Sequence, residues 1–302
     1  MHHIGFRLSD NPDPEERLEE AALWKAMHDH YGPDRISPLL SDAVAPGDWV
    51  LFGRQKGRFQ TGQEPVSDDL PYWNDPAFLA HCGRDFSVVD YEGLSVAVER
   101  LHEAGHGAFL KSTRLKHWKA EVPVGTSAWD ALGDMAYSFM DGGPHVMVQE
   151  AVEMTYERRY FVIGREVVTT SPVMNALTPL AWPTPYGASY RTPSSRAMEI
   201  LPSIRDQQDW LAEAVAAEMR PEHAVVDIAM VGGQDGHPVV IEMNPMVLGQ
   251  AGLFASSVQS LAAASEVLLQ GFVPNPRPAF TAAADEEEFV DGDPYWADPP
   301  SP

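Results

Sequence analysis

The stretch that most constrains this chain is Val225 to Phe254, VVDIAMVGGQDGHPVVIEMNPMVLGQAGLF. Two apolar runs flank the Gly-rich segment Gly232 to Gly236, which predicts two buried strands joined by a tight turn. Buried strands need a substantial core around them, and 302 residues can supply one large domain or two smaller ones. Asp227 interrupts the first run, and Glu242 and Asn244 end the second. Pairing the strands brings two carboxylates and an amide oxygen together at the end of a sheet. Hard oxygen donors in such a cluster suit Mg²⁺, particularly Mg²⁺ shared with nucleotide phosphates. The plainer alternative is a hairpin carrying a few solvated acids.

Charge narrows the partners. The chain has 44 acids against 21 bases, a formal net charge of −23. A surface so acidic repels phosphate backbones at long range, so nucleic acid is not an expected partner. A small anionic ligand still binds where bases converge. Lysine is scarce, yet three of the five, Lys111, Lys116 and Lys119, fall within the segment FLKSTRLKHWK. Cys82 is the only cysteine, so no intrachain disulfide forms and a reducing cytoplasm is expected. The first residues carry no signal-peptide pattern, and no apolar run is long enough to span a bilayer.

Along the chain, Glu15 to His30 has helical spacing and is stopped by Gly32-Pro33. Trp49 to Gly53 and Phe86 to Asp90 read as strands, Gln60 to Ala77 as a loop, and Gly93 to Ala104 as an amphipathic helix closed by Gly105. Gly107 to Lys111 and His145 to Glu150 are further strands. Tyr156 to Ile163 and Glu166 to Val173 form an antiparallel pair about Gly164-Arg165. Leu177 to Arg196 is rich in Pro and Ser and reads as a substrate-facing loop. Helices are expected over Asp206 to Met219 and about Ser256 to Leu269. The resulting division is a small α/β domain over 1–92, a second unit over 93–275, and an acidic, Pro-rich disordered tail over 276–302.

Several polar positions carry possible chemistry. Lys111 ends a strand, which projects its ammonium at a sheet edge, and lysine is a compact donor to phosphate oxygens. The strand end VQEAVEM offers Gln149, Glu150, Ala151, Val152 and Glu153, with backbone groups for a purine edge and carboxylates for a ribose. In YERRYFV, Glu157 and Arg159 share one strand face and Arg158 the other, since side chains alternate. His102 to His106 reads HEAGH, a literal match to the HExxH zinc signature. That signature needs a continuous helix, and Gly105 interrupts this one, so the histidines are expected at the surface or in packing.

The order of these segments resembles the ATP-grasp superfamily: a strand with lysine, VQEAVEM, ExR on a strand, then a D…ExN hairpin. FLKS with further lysines and YERRYFVIGREV are similar to the branch named for one arginine and two lysines. The likeness covers Phe109 to Phe254. It implies an α+β ATP-grasp fold, two α/β lobes clasping ATP, behind the small N-terminal α/β domain. Asp227, Glu242 and Asn244 would hold Mg²⁺, and Lys111 with Lys116 or Lys119 would contact phosphates. Residues Gln149, Glu150, Ala151, Val152 and Glu153 would line the adenine and ribose, with Glu157 beside them, and Arg159 would steady the transferred phosphoryl group. A Gly-rich phosphate flap is not evident; Glu121 to Gly125 is its nearest substitute.

The implied function is an ATP- and Mg²⁺-dependent ligase joining a small-molecule or peptide carboxylate to an amine or thiol through an acyl-phosphate. The alternatives are a catalytically silent ATP-binding module and a small-molecule kinase. The acceptor and the oligomeric state stay open.

Overall fold

The computed structural model describes residues 3–7, 14–38, 49–52, 58–60, 71–113, 118–133, 145–171, 195–220, 223–245 and 257–271. Lys116, most of the Leu177 to Arg196 segment and the acidic tail lie outside them. Among the described residues, the strands form three four-stranded sheets. The first contains β1 (Ile4–Arg7), β2 (Ile36–Pro38), β3 (Trp49–Phe52) and β4 (Arg58–Gln60), in the order β2-β1-β3-β4. β1 runs parallel to β2 and β3. The crossover between β1 and β2 is α1 (Pro14–Tyr31), which buries Leu23, Ala26, Met27 and Tyr31 against Ile4, Phe6 and Ile36. Those positions recur at three- and four-residue intervals, the spacing of one helical face.

The second sheet is antiparallel throughout, with the order β5-β8-β6-β7: β5 (Phe86–Asp90), β8 (His145–Glu150), β6 (Ala108–Ser112) and β7 (Lys119–Val122). β5, grouped by sequence with the first 92 residues, therefore belongs to this second sheet. One face packs on α3 (Leu94–Glu103) and α4 (Ala128–Leu132) through Leu94, Val98, Leu101 and Leu132. The other face carries Phe86, Val88 and Met147 into a core shared with the third sheet.

The third sheet has the order β10-β9-β11-β12: β10 (Glu166–Thr170), β9 (Met154–Ile163), β11 (His223–Val231) and β12 (His237–Pro245). The Val225 hairpin forms as its pattern predicts, turning through a short 3-10 segment, Gly233–Asp235. Glycine is required at Gly236, where a Cβ would lie 1.7 Å from the Val231 carbonyl oxygen. β11 is the covered centre of the molecule. Ala224, Val226 and Ile228 face α5 (Ser195–Glu218), while Val225 faces α1 and α6 (Val258–Gly271).

Residues 71–77, within the loop expected over Gln60 to Ala77, are ordered into helical turns. Tyr72–Asn74 forms a 3-10 turn and Pro76–His81 a helix, α2. Asp75 is its N-cap, accepting from the Ala77 N–H at 2.9 Å, and Pro76 occupies the first turn, where its missing N–H does no harm. The expected flap substitute, Glu121 to Gly125, is instead the end of β7 and the turn into α4.

Candidate active site

The site lies on the seam between the second and third sheets. The β9–β11–β12 register places Arg159, Asp227 and Glu242 side by side, and Asn244 sits opposite Val225. Asp227 is fully buried and takes a two-pronged ion pair from Arg159: Nε to Oδ1 at 2.7 Å and Nη2 to Oδ2 at 2.8 Å. Glu242 takes an ion pair from Lys111, which reaches across from β6. The Asn244 amide nitrogen donates to Glu242 Oε1 at 2.9 Å and, at 3.5 Å, leans toward Asp227 Oδ2. Both carboxylates therefore arrive with a cation and a shared amide.

Burial tunes this cluster. Desolvation lowers the Lys111 pKa to about 8, with Arg84 and Lys119 pushing the same way and Asp227 and Glu157 opposing. Burial, then the neighbouring Asp227 charge, raises Glu157 to about 7 against the pull of Arg159, Lys119 and Lys111. Lys119 pairs with Lys111 across β6 and β7, which keeps both ammonium groups on one sheet face. The Lys111 ammonium also lies 5.8 Å from the centre of the Tyr72 ring, within cation–π range. Tyr72 is buried and its hydroxyl points at the Met147 sulfur.

Two irregularities aim these side chains. β9 holds one extra residue opposite Ala229, at Tyr156, whose φ is +55°. A non-glycine residue in this region is strained and needs support. The Tyr156 carbonyl oxygen receives a 2.7 Å bond from the buried Gln208 amide of α5. The bulge lies immediately before Glu157. The second bulge is at Ile241 in β12, between the pairs Ile228–Val240 and Asp227–Glu242. Adjacent carbonyls of a regular strand point to opposite sides; the bulge turns those of Val240 and Ile241 toward one partner.

That partner is Arg84, a residue the sequence gave no reason to single out. Its Nη1 donates to Val240 O at 2.8 Å and Cys82 O at 2.7 Å, and its Nη2 to Ile241 O at 2.7 Å. Nε and Nη2 both donate to Gln149 Oε1, at 2.9 and 2.6 Å. All five guanidinium N–H groups thus face neutral oxygens, joining β8 to the free edge of β12. Gly83, at φ +61°, lets the chain press against that edge, because a Cβ there would lie 2.3 Å from Val239 Cγ1.

The structure brings together Lys111, Glu157, Arg159, Asp227, Glu242 and Asn244, with Lys119 alongside. Gln149 turns to Arg84 instead. The Glu150 carboxylate meets His106 Nδ1 at 3.1 Å and the Asp85 N–H at 3.3 Å. Ala151, Val152 and Glu153 link β8 to β9 and so cross from the second sheet to the third. Arg158 points to the opposite face, donating to Tyr160 and Asp209, each at 2.9 Å. In HEAGH, the helix ends at Glu103 and Gly105 turns at φ +86°. Among the described residues, no three His, Cys, Asp or Glu side chains converge as a metal site.

The hairpin set meets a different requirement. Its donors are two carboxylates and an amide, which leaves further coordination to phosphate oxygens. Asn244 Oδ1 is buried and has no hydrogen-bond partner among the described residues. A buried acceptor left unpaired is unfavourable unless something binds it, so these residues fit a hard cation.

Two solved structures share the architecture. D-cycloserine synthetase DcsG matches with a TM-score of 0.53 and 16% identity, over 88% of this chain and 100% of that one. D-alanine–D-alanine ligase from Bacillus anthracis, complexed with ATP, matches with a TM-score of 0.50 and 13% identity, over 89% and 97%. No protein-family profile and no curated protein matches the sequence. The structural likeness establishes an ATP-grasp fold, as the segment order implies.

Proposed function

From the ATP-grasp fold and its site, we propose that this protein is an ATP- and Mg²⁺-dependent ligase. It joins a small-molecule or peptide carboxylate to an amine or thiol through an acyl-phosphate. One observation carries the reading: Asp227 and Glu242 lie side by side, each held by a cation, next to the unpartnered Oδ1 of Asn244. Asp227, Glu242 and Asn244 would hold Mg²⁺, and Lys111 and Lys119 would take phosphate oxygens; Lys116, which the resemblance offers for the same role, lies outside the described residues. The 149–153 segment would accommodate the nucleoside.

When bound, Mg–ATP supplies the phosphoryl group and much of the charge neutralisation. The chain's own residues orient and stabilise. Arg159 presents a rigid fork, matched to the planar oxygens of a carboxylate or phosphoryl group, in a site already organised by β9 and β11. Lys111, desolvated against Tyr72, is a fixed cation whose interactions are strengthened by its surroundings. Glu157, which the resemblance sets beside the nucleotide and whose carboxyl burial raises to about 7, would take a proton from an incoming amine.

The test is ADP and phosphate release across a panel of amino acids and peptides, in wild type and Glu242→Ala. Acceptor-stimulated release in wild type, lost in the variant, is expected. Undiminished release in Glu242→Ala refutes the assignment. Tight ATP binding without stimulated release identifies a silent binding module, and a stable phosphorylated product identifies a kinase.

A further inference from the structure

The four charges at the centre of the site sum to zero. Arg159 holds Asp227 with two hydrogen bonds, and Lys111 holds Glu242 across the seam. We propose that Lys111 and Arg159 are placeholders for the metal. They block a bare divalent cation, so the cation and the nucleotide phosphates enter together by an exchange of partners. This inference rests on the nucleotide-site reading above and concerns how that site is entered.

Consider each ligand alone. A bare divalent cation meets two carboxylates already neutralised, with an ammonium and a guanidinium beside them that repel it. A bare nucleotide meets Lys119 at the exposed rim, but Lys111 and Arg159 are already engaged, and the two carboxylates beside them repel its phosphates. Either one, to bind at this centre, must displace a partner and strand a charge in a buried place. Asp227 is fully buried, and Arg159 and Lys111 keep only 15% and 17% of their side-chain surface exposed. An uncompensated charge at such a site is strongly unfavourable.

The two ligands arriving together remove that penalty. The carboxylates pass from the cations to the metal while the cations pass from the carboxylates to phosphate oxygens. Every charge that loses a partner gains another. Asn244 donates to Glu242 and lies beside Asp227, and its unpartnered Oδ1 acquires a ligand in the same exchange. The arrangement therefore disfavours half-filled states.

The inference makes a prediction of unusual sign. Mn²⁺ is titrated into nucleotide-free protein and free Mn²⁺ is followed by electron paramagnetic resonance. Mn–ADP binding is measured separately by calorimetry. Wild type binds bare Mn²⁺ weakly. Lys111→Met, which releases Glu242, tightens bare Mn²⁺ by about tenfold or more, since it removes a positive charge a few ångströms away, while weakening Mn–ADP. Arg159→Gln shows the same opposed signs by releasing Asp227, and keeps the test in force should Lys111→Met fail to fold. Bare Mn²⁺ affinity that is unchanged or weakened in the folded variants overturns the exchange. Wild-type protein that binds bare Mn²⁺ as tightly as the ADP-loaded site does so as well, without recourse to any variant. Wild type that binds no Mn–ADP at all refutes the nucleotide site itself, and this inference with it.

Discussion

Arg84 joins two sheets through five N–H groups and no carboxylate, so replacing it tests the seam directly. Arg84→Met keeps an unbranched stem about as long as the arginine's up to Nε, and removes the guanidinium with every donor. Three backbone carbonyl oxygens, of Cys82, Val240 and Ile241, then lose a partner, along with Gln149 Oε1. Gln149 can rotate its amide, so only the carbonyls are counted. Each buried acceptor left unpaired is worth about 1–3 kcal/mol, which gives roughly 3–9 kcal/mol in total. Against this, the variant no longer desolvates a guanidinium, a penalty of several kcal/mol whose effect is visible in the lowered Arg84 pKa. Setting that recovered penalty against the lost hydrogen bonds leaves a net loss of roughly 1–5 kcal/mol. Urea unfolding at neutral pH measures it through the midpoint at constant slope. Arg84→Lys retains the charge but has three donors on one nitrogen, so it falls between wild type and Arg84→Met. A change within about 0.5 kcal/mol for Arg84→Met, the level of an ordinary surface substitution, refutes the role of Arg84 as the fastener of the seam.

Other outcomes follow from the same geometry. Gly83→Ala places a Cβ against Val239 and demands a positive φ, so stability falls by about 2–4 kcal/mol, read from chemical denaturation. Tyr160→Phe removes a hydroxyl that accepts from Arg158 and donates to Asp209 at 2.7 Å; a loss of about 1–2 kcal/mol is expected, again by urea unfolding. Glu157 titrates higher in the folded protein, near 7, than its ordinary 4.5. The native state then binds more protons than the unfolded state between those values, so this group's contribution falls as pH rises through the window. Glu157→Gln removes that burden. Relative to wild type it gains stability at pH 8 and loses the gain toward pH 4.5, as thermal unfolding at several pH values would show. A pH-independent difference contradicts the raised pKa.

Much of this architecture could be read from the chain because its long elements announce themselves. β11 carries an apolar run broken only by Asp227, and a lone acid in such a run stands out. β8 has the bounds expected of it, and α1 and α3 fall within a residue or two of expectation. Short elements were harder. α2 has six residues, too few for a periodic signal, and its Asp75-Pro76 cap was obscured by the Asp, Pro and Gly around it. β7 and α4 are likewise brief. Of the candidate site, Asp227, Glu242 and Asn244 stand out in the sequence as polar positions within or ending apolar runs, but their alignment was not legible: the turn alone would set Asp227 opposite Ile241, and the bulge at Ile241 brings Glu242 there instead. Arg84 and Gln208 do not stand out at all. Each acts through the backbone oxygens of a bulge, and nothing in a linear sequence marks a bulge or the side chain that serves it.

The contact between α6 and α1 has a consequence for how the protein is made. Tyr31 of α1 bonds to Ser265 of α6 at 2.7 Å, Arg35 pairs with Glu266 at 2.9 Å, and Leu261 and Ala262 fill the core under β1. The first sheet is synthesised early, yet its apolar floor is closed by residues that leave the ribosome more than two hundred positions later. During translation that floor stays uncovered while the second sheet, whose partners are all nearer in sequence, completes itself. Nascent chains stalled before Val258 should therefore carry a protease-resistant middle and a protease-sensitive beginning. The start of the chain becomes resistant only once α6 has emerged.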